Sequence, residues 1–294
     1  MALTFSANVL SLYQGLTPAR PYAEEAVRRA SATGDHNALI VALCSRGVNS
    51  LQGGRTAEAE EDLKQALSLI ERYAAISYQQ FALNTYGVLL LEQGRYEEAR
   101  RVLGEAIGLA RAAAAVQDQV VVTGNLLLVE HESGNHERAV ALAEEVLSLS
   151  GRAPLVWCTI GAWSILGLYA LERGDLETAR GYHDEIQEHA TGRDFWISDA
   201  SYAEIFLARF GVLEGDTAGA LARLDQAIAA YADREFFCRS RLQLERARIM
   251  LSTDEVEAGR WAALVRQRAS EAGAWPLVVA ADRILDSVGL VANR

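Results

Sequence analysis

The sequence has little that would stiffen, crosslink or anchor a chain. Its 294 residues include only 4 prolines and 3 cysteines, and aromatic residues make up 7%. So few breakers leave long helices unopposed. The cysteines, Cys44, Cys158 and Cys238, lie far apart, are odd in number and show no CxxC spacing. That argues against a disulfide framework or a thiolate metal site, and reads as free thiols packed between helices in a reducing cytosol. No apolar run approaches the roughly 18 residues of a membrane span. The opening MALTFSANVLSLYQGLTPAR has no basic residue before Arg20 and no A-x-A site, so a cytoplasmic chain with no membrane contact is expected. Lysine is almost missing: Lys64 is the single one among 28 basic residues. That bias towards arginine points to GC-rich codons and a bacterial source. The net charge of −11 excludes a sequence-independent nucleic-acid binder, which needs a net basic surface.

Signatures of chemistry are missing too. There is no GK[ST] loop to cradle a phosphate, no GxGxxG after a strand and no HExxH. His131 and His136 straddle an expected turn, and His183 and His189 are six residues apart, so neither pair has ligand spacing. Nothing local activates a cysteine as a nucleophile. The expectation is a non-catalytic protein without cofactor or metal; an enzyme with its active site in a groove is the remote alternative.

What the sequence does have is a beat. A Gly, usually followed by a polar or charged residue, precedes an Ala by five positions at Gly54/Ala59, Gly94/Ala99, Gly134/Ala139, Gly174/Ala179 and Gly215/Ala220. The Gly spacings are 40, 40, 40 and 41, and a sixth copy at Thr253-Asp254 with Ala258 follows after 38 residues without the Gly. Each Gly stands between two helical stretches, where a left-handed backbone ends the first and reverses the chain. The Ala lets the second helix approach the first, and small residues seven positions on (Ala66, Ala106, Ala227) extend the same face.

These residues carry a resemblance. Trp163, Leu166, Gly167, Gly174 and Ala179 look like the tetratricopeptide (TPR) signature, and Gly47 and Gly87 match its mid-helix Gly. Leu127 and Ala208 replace that Gly in other copies, and Glu204 stands where a bulky apolar residue is expected. The period is longer than the usual 34 residues of the family and is similar to the MalT-like TPR region of bacterial signal-transduction ATPases and LuxR- or SARP-type regulators. The resemblance implies an all-α, right-handed superhelical solenoid of about seven antiparallel helix pairs. We expect one domain over 1–294, with an irregular N-terminal hairpin at 1–33, repeats over 34–274 and a capping helix over 275–294.

In such an array the first helix of each pair lines the concave side. Residues one step off the core positions are Val41, Cys44, Val48; Phe81, Asn84, Val88, Leu91; Val121, Leu128, His131; Ser164, Leu168, Leu171; and Tyr202, Ile205, Arg209. As groove residues they suit an amphipathic peptide or small organic ligand; in a register shifted by one they are core between repeats. Arg209→Ala is then expected to weaken binding without unfolding the array. Aromatics at the start of first helices, among them Tyr78, Trp157, Phe195, Trp196, Phe236 and Phe237, would form a rim along one edge or pack on the preceding loop. Arginines from Arg234 to Arg268 read as a solvated face or, alternatively, an acidic-partner patch. The functional expectation is a ligand- or partner-sensing region of a bacterial regulator, whose NTPase or DNA-binding part lies elsewhere in a longer chain or is supplied in trans. The alternative is a stand-alone adaptor or peptide receptor.

Overall fold

The computed structural model describes residues 3–4, 15–153, 155–190 and 198–291. Those residues form helices and no strand. In chain order they are α1 (Leu16–Thr33), α2 (His36–Gln52), α3 (Thr56–Tyr73), α4 (Gln79–Glu92), α5 (Tyr96–Ala112), α6 (Val116–Glu132), α7 (His136–Ser150), α8 (Val156–Glu172), α9 (Leu176–Ala190), α10 (Ser198–Leu213), α11 (Thr217–Ala230), α12 (Phe236–Met250), α13 (Glu255–Glu271) and α14 (Trp275–Val291). Six complete hairpins, α2/α3 to α12/α13, stack in order between α1 and α14. The expected N-terminal hairpin contributes a single described helix, α1, with Leu3 packed on Ala26 and Ala30. Residues 191–197, with the expected edge aromatics Phe195 and Trp196, lie outside the described residues.

The turns follow the Gly beat. Gly54, Gly94, Gly134, Gly174 and Gly215 have φ between 72° and 89°, a region that costs an L side chain about 1–2 kcal/mol. At each of them the next residue's N–H reaches back to close the helix end, as Arg95 N–H does to Leu90 O at 2.8 Å. The copy without Gly keeps the cap that follows the turn: the Asp254 carboxylate accepts from Glu257 N–H, as Asp175 does from Thr178 and Asp216 from Gly219.

Second helices are amphipathic. In α5 the stripe Ala99, Val102, Leu103, Ala106, Ala110 is buried, and the opposite face is charged. First helices are apolar almost all round, as in α8, because their neighbours cover them on several sides. The beat alanines 59, 99, 139, 179, 220 and 258 are all buried, as are Ala66 and Ala106. Ala227 is only partly buried, because α11 turns Leu224 and Ile228 inward instead. Mid-helix glycines mark where hairpin partners nearly touch: a Cβ on Gly47 would stand 3.0 Å from Leu63, and one on Gly87 only 2.5 Å from Leu103. Gly167 answers to a different neighbour, Phe206 of the next first helix. Glu204 faces Arg223 at 2.5 Å, so an ion pair bridges the two helices of this hairpin, as Arg46 and Asp62 bridge α2 and α3.

The row of hairpins curves until its ends meet. Leu16 N–H donates to Asp233 O at 2.7 Å, and the Thr17 hydroxyl to the Asp233 carboxylate at 2.9 Å, across 216 residues of sequence. Thr56 donates to Ala272 O, again 216 residues away, while Phe236 lies against Gly54 and Pro276 against Gly94. With a period near 40, about five repeats complete one turn of the superhelix.

Gly87→Ala is expected to lower unfolding stability by about 1–3 kcal/mol, since the fully buried Leu103 has nowhere to move. Gly104→Ala, on the exposed side of α5 with nothing within 4 Å, should raise it by up to about 1 kcal/mol. Urea denaturation of the two variants checks the contrast.

Candidate functional site

The inner faces of α6, α8, α10, α12 and α14 enclose a cavity of about 420 Å³. Five of the residues expected in the groove line it: His131, Leu168, Tyr202, Ile205 and Arg209. Three of those, Leu168, Tyr202 and Ile205, are less than a tenth exposed, so the wall is tight. Helices α12 and α14 supply the rest, including Arg241, Leu244, Glu245, Arg248, Leu277, Arg283 and Ile284. No groove position was assigned to these two helices from sequence, because the sixth turn lacks its Gly and α14 was read as a cap. The apolar spacing of Leu277, Ala280 and Ile284 was the available signal.

Other expected positions sit elsewhere. Ser164 is fully buried and donates back to Ile160 O at 2.6 Å, so it belongs to the core between helices and not to the groove. Cys44, Leu91 and Leu128 are also core, as the shifted register would have them. Phe81 is half exposed at the start of α4, Asn84 accepts from Asn125 Nδ2 at 2.9 Å, and Val88 packs on the core; none of the three borders the cavity. Of the aromatics expected along one edge, the described ones pack inward. Trp157 is partly buried against the core, Trp196 lies outside the described residues, and Phe237 is 2% exposed because α12 turns it inward.

The floor of the cavity is an ionic cluster. Arg241, 8% exposed, places Nη2 2.7 Å from the buried Glu92 and Nε 3.5 Å from Glu132. The Tyr202 hydroxyl donates to Glu132, and the Arg241 guanidinium lies over the Tyr202 ring. Burial alone would push the Glu132 carboxyl up, but Arg241, His131 and the Tyr202 hydrogen bond outweigh it and hold the group below its usual range. Arg241 Nη1 is buried with no hydrogen-bond partner among the described residues. His131 bonds the Tyr169 hydroxyl through Nδ1 at 2.8 Å, and burial lowers its affinity for a proton; His136 stacks on the same tyrosine ring.

Arg209 forms a fork with Glu245, at 3.0 and 2.8 Å, and Arg248 binds the same carboxylate. Burial works against the Glu245 charge, and the two arginines more than offset it. Arg209→Ala therefore strips a partner from a buried carboxylate, contrary to the expectation of a purely ligand-facing residue. A stability loss of roughly 1–3 kcal/mol follows from the unmatched acceptor.

None of the cysteines has the setting of a nucleophile. All three are buried, and burial pushes the Cys44 thiol up to about 12 and Cys238 well above its ordinary value. Among the described residues no cluster of three His, Cys, Asp or Glu could hold a metal ion, and no helix is long and apolar enough to cross a membrane.

Glu235, at the start of α12, has a carboxyl pushed up to about 8 by burial and by Glu92, against the pull of Arg241 and hydrogen bonds from Gln52 and Cys238. The folded state thus keeps a proton that the unfolded chain gives up near 4.5. The associated stability is present at low pH and disappears as pH rises towards 8. Denaturant midpoints between pH 5 and 9 should fall more steeply for the natural protein than for Glu235→Gln; equal slopes would refute the assignment.

The TPR_10 tetratricopeptide repeat model matches residues 82–114, which span most of α4 and α5 and the turn joining them to α6. No curated protein matches the sequence. Solved structures resemble the whole array at low identity. A Rap protein complexed with competence and sporulation factor aligns at 14% identity and TM-score 0.63, over 98% of this chain and 84% of that one. The apo quorum sensor NprR from B. thuringiensis aligns at 11% and 0.62, over 98% and 86%. The Rap conjugation gene regulator of plasmid pLS20, in complex with the Phr* peptide, aligns at 11% and 0.61, over 90% and 76%. The forty-residue hairpins, their left-handed Gly turns and the small residues between paired helices agree with these likenesses: the chain has the tetratricopeptide-type helical-repeat fold, and its residues 82–114 match that repeat family.

Proposed function

We propose that the chain is a peptide-receptor module whose ligand is a short peptide with apolar side chains and at least one carboxylate, lying along α10, α12 and α14. The observation that carries this reading is Arg241, a buried cation on the groove floor with an unmatched Nη1. A buried N–H without an acceptor costs about 1–3 kcal/mol, which a ligand carboxylate or carbonyl would recover. The lining supports the same chemistry. Four arginines and two glutamates border the cavity of an otherwise acidic chain, beside an apolar strip of Leu168, Ile205, Leu244, Leu277 and Ile284. Peptide is favoured as the ligand class because one of the similar folds is in complex with a peptide. The sensor role in a bacterial regulator, with occupancy passed to an attached NTPase or DNA-binding part, extends this reading. A stand-alone adaptor using the same groove is its alternative.

Arg283 offers a clean test, because it is exposed and makes no ion pair with a described residue. Selection from a random peptide library should enrich apolar sequences with acidic residues. Arg283→Glu should weaken the selected peptide about tenfold, and Ala280→Trp, which fills the groove, should abolish binding; both should leave the melting temperature nearly unchanged. Enrichment of basic peptides, or binding indifferent to both substitutions, rejects the proposal.

A further inference from the structure

Most arginines of the C-terminal repeats have found carboxylates. Arg241, Arg246, Arg248, Arg260 and Arg266 each stand against an aspartate or glutamate. Arg239 and Arg268 face no carboxylate among the described residues. Arg239 Nη1 reaches only Ala232 O at 3.3 Å, and its Nε is buried without a partner. Burial and the charge of Arg268 together hold Arg239 below its ordinary proton affinity, so the two guanidiniums oppose each other. Both line a second cavity, of about 350 Å³, which shares no residue with the groove. It lies in the seam where the superhelix closes, between the start of α1, the α2–α3 turn, and helices α12 and α13.

We propose that this cavity binds a small doubly charged oxyanion, a phosphate or phosphomonoester, held between Arg239 and Arg268. Each guanidinium presents N–H groups in a planar fork that matches two oxygens of such a group, and a dianion cancels the repulsion between them. Nearby acids are already engaged. Asp233 caps α1 through Thr17, and Glu58 binds Arg55. Of the two carboxyl groups in the lining, Glu235 is pushed up to about 8 and largely keeps its proton at neutral pH, while Asp233 turns its oxygens to the Thr17 N–H and hydroxyl. The volume leaves room for a small organic group beside the phosphate, against Leu16 and Tyr231. Both guanidiniums belong to the last hairpin, and the start of α1 and the α2–α3 turn form the facing wall.

Calorimetric titration and thermal melting with inorganic phosphate, and separately with glucose 6-phosphate, should reveal saturable binding and a raised melting temperature at matched ionic strength. Chloride should give neither. Arg268→Gln, at an exposed residue with no ion pair, should weaken phosphate binding at least tenfold while leaving the anion-free melting temperature unchanged. Arg239→Gln should also lose binding, yet melt no lower than the natural protein without anion, since it removes a repulsion. Binding of phosphate alone identifies the free ion as the source, and tighter binding of the ester identifies the phosphomonoester. Stabilisation equal to that of chloride, or phosphate binding unchanged in Arg268→Gln, overturns the proposal.

Discussion

Everything in this molecule depends on how closely paired helices can approach. Where Gly87 meets Leu103 there is no room for one more carbon, and the beat alanines lie fully in the interface between helices. Close-packed interiors tolerate neither gaps nor excess, so these contacts hold each hairpin to one separation and one crossing geometry. Repeated at a forty-residue interval, the same small rotation accumulates. The hollow side, its width and the meeting of first and last repeats are all consequences of that repetition.

Curvature in turn decides which charges are buried. Glu92 and Glu132 end successive first helices and would face water in a straight array. In the curved one they converge on Arg241 of α12. Burying them costs several kcal/mol per ion unless partners are well placed; the guanidinium and the Tyr202 hydroxyl supply the match for Glu132, while burial outweighs Arg241 at Glu92 and pushes its carboxyl up. Arg209 and Glu245 repeat this device further along the same wall. A chain with a strong excess of acids thereby acquires a groove whose charged residues are mainly arginines. Electrostatic selectivity in this fold is a product of geometry more than of composition.

The architecture was legible because its signal is periodic. Gly and Ala at fixed offsets report on backbone sign and helix separation, which are local; the Gly recurs five times and the Ala a sixth, where Thr253 replaces the glycine. The groove was only half legible. Tyr202, Ile205 and Arg209 were reachable by counting from the turn, since α10 faces inward along its length. Ser164 was misplaced because first helices are covered on several sides, and one residue of phase separates groove from core. Arg241, expected with its neighbours on a solvated face, is instead buried against Glu92. Its partners are set by the pitch of the superhelix, a sum of small rotations that no short window of sequence records.

The seam has a consequence for how the protein comes apart. An open array of repeats behaves as a linear chain with nearest-neighbour coupling, and it frays from its ends. Here Asp233 caps the first described long helix and Thr56 reaches the loop before the last one, so both termini are anchored to the opposite end. The topology of coupling becomes that of a ring. Opening any one joint leaves the others engaged, terminal melting is suppressed, and unfolding moves closer to an all-or-none event than the modular sequence suggests.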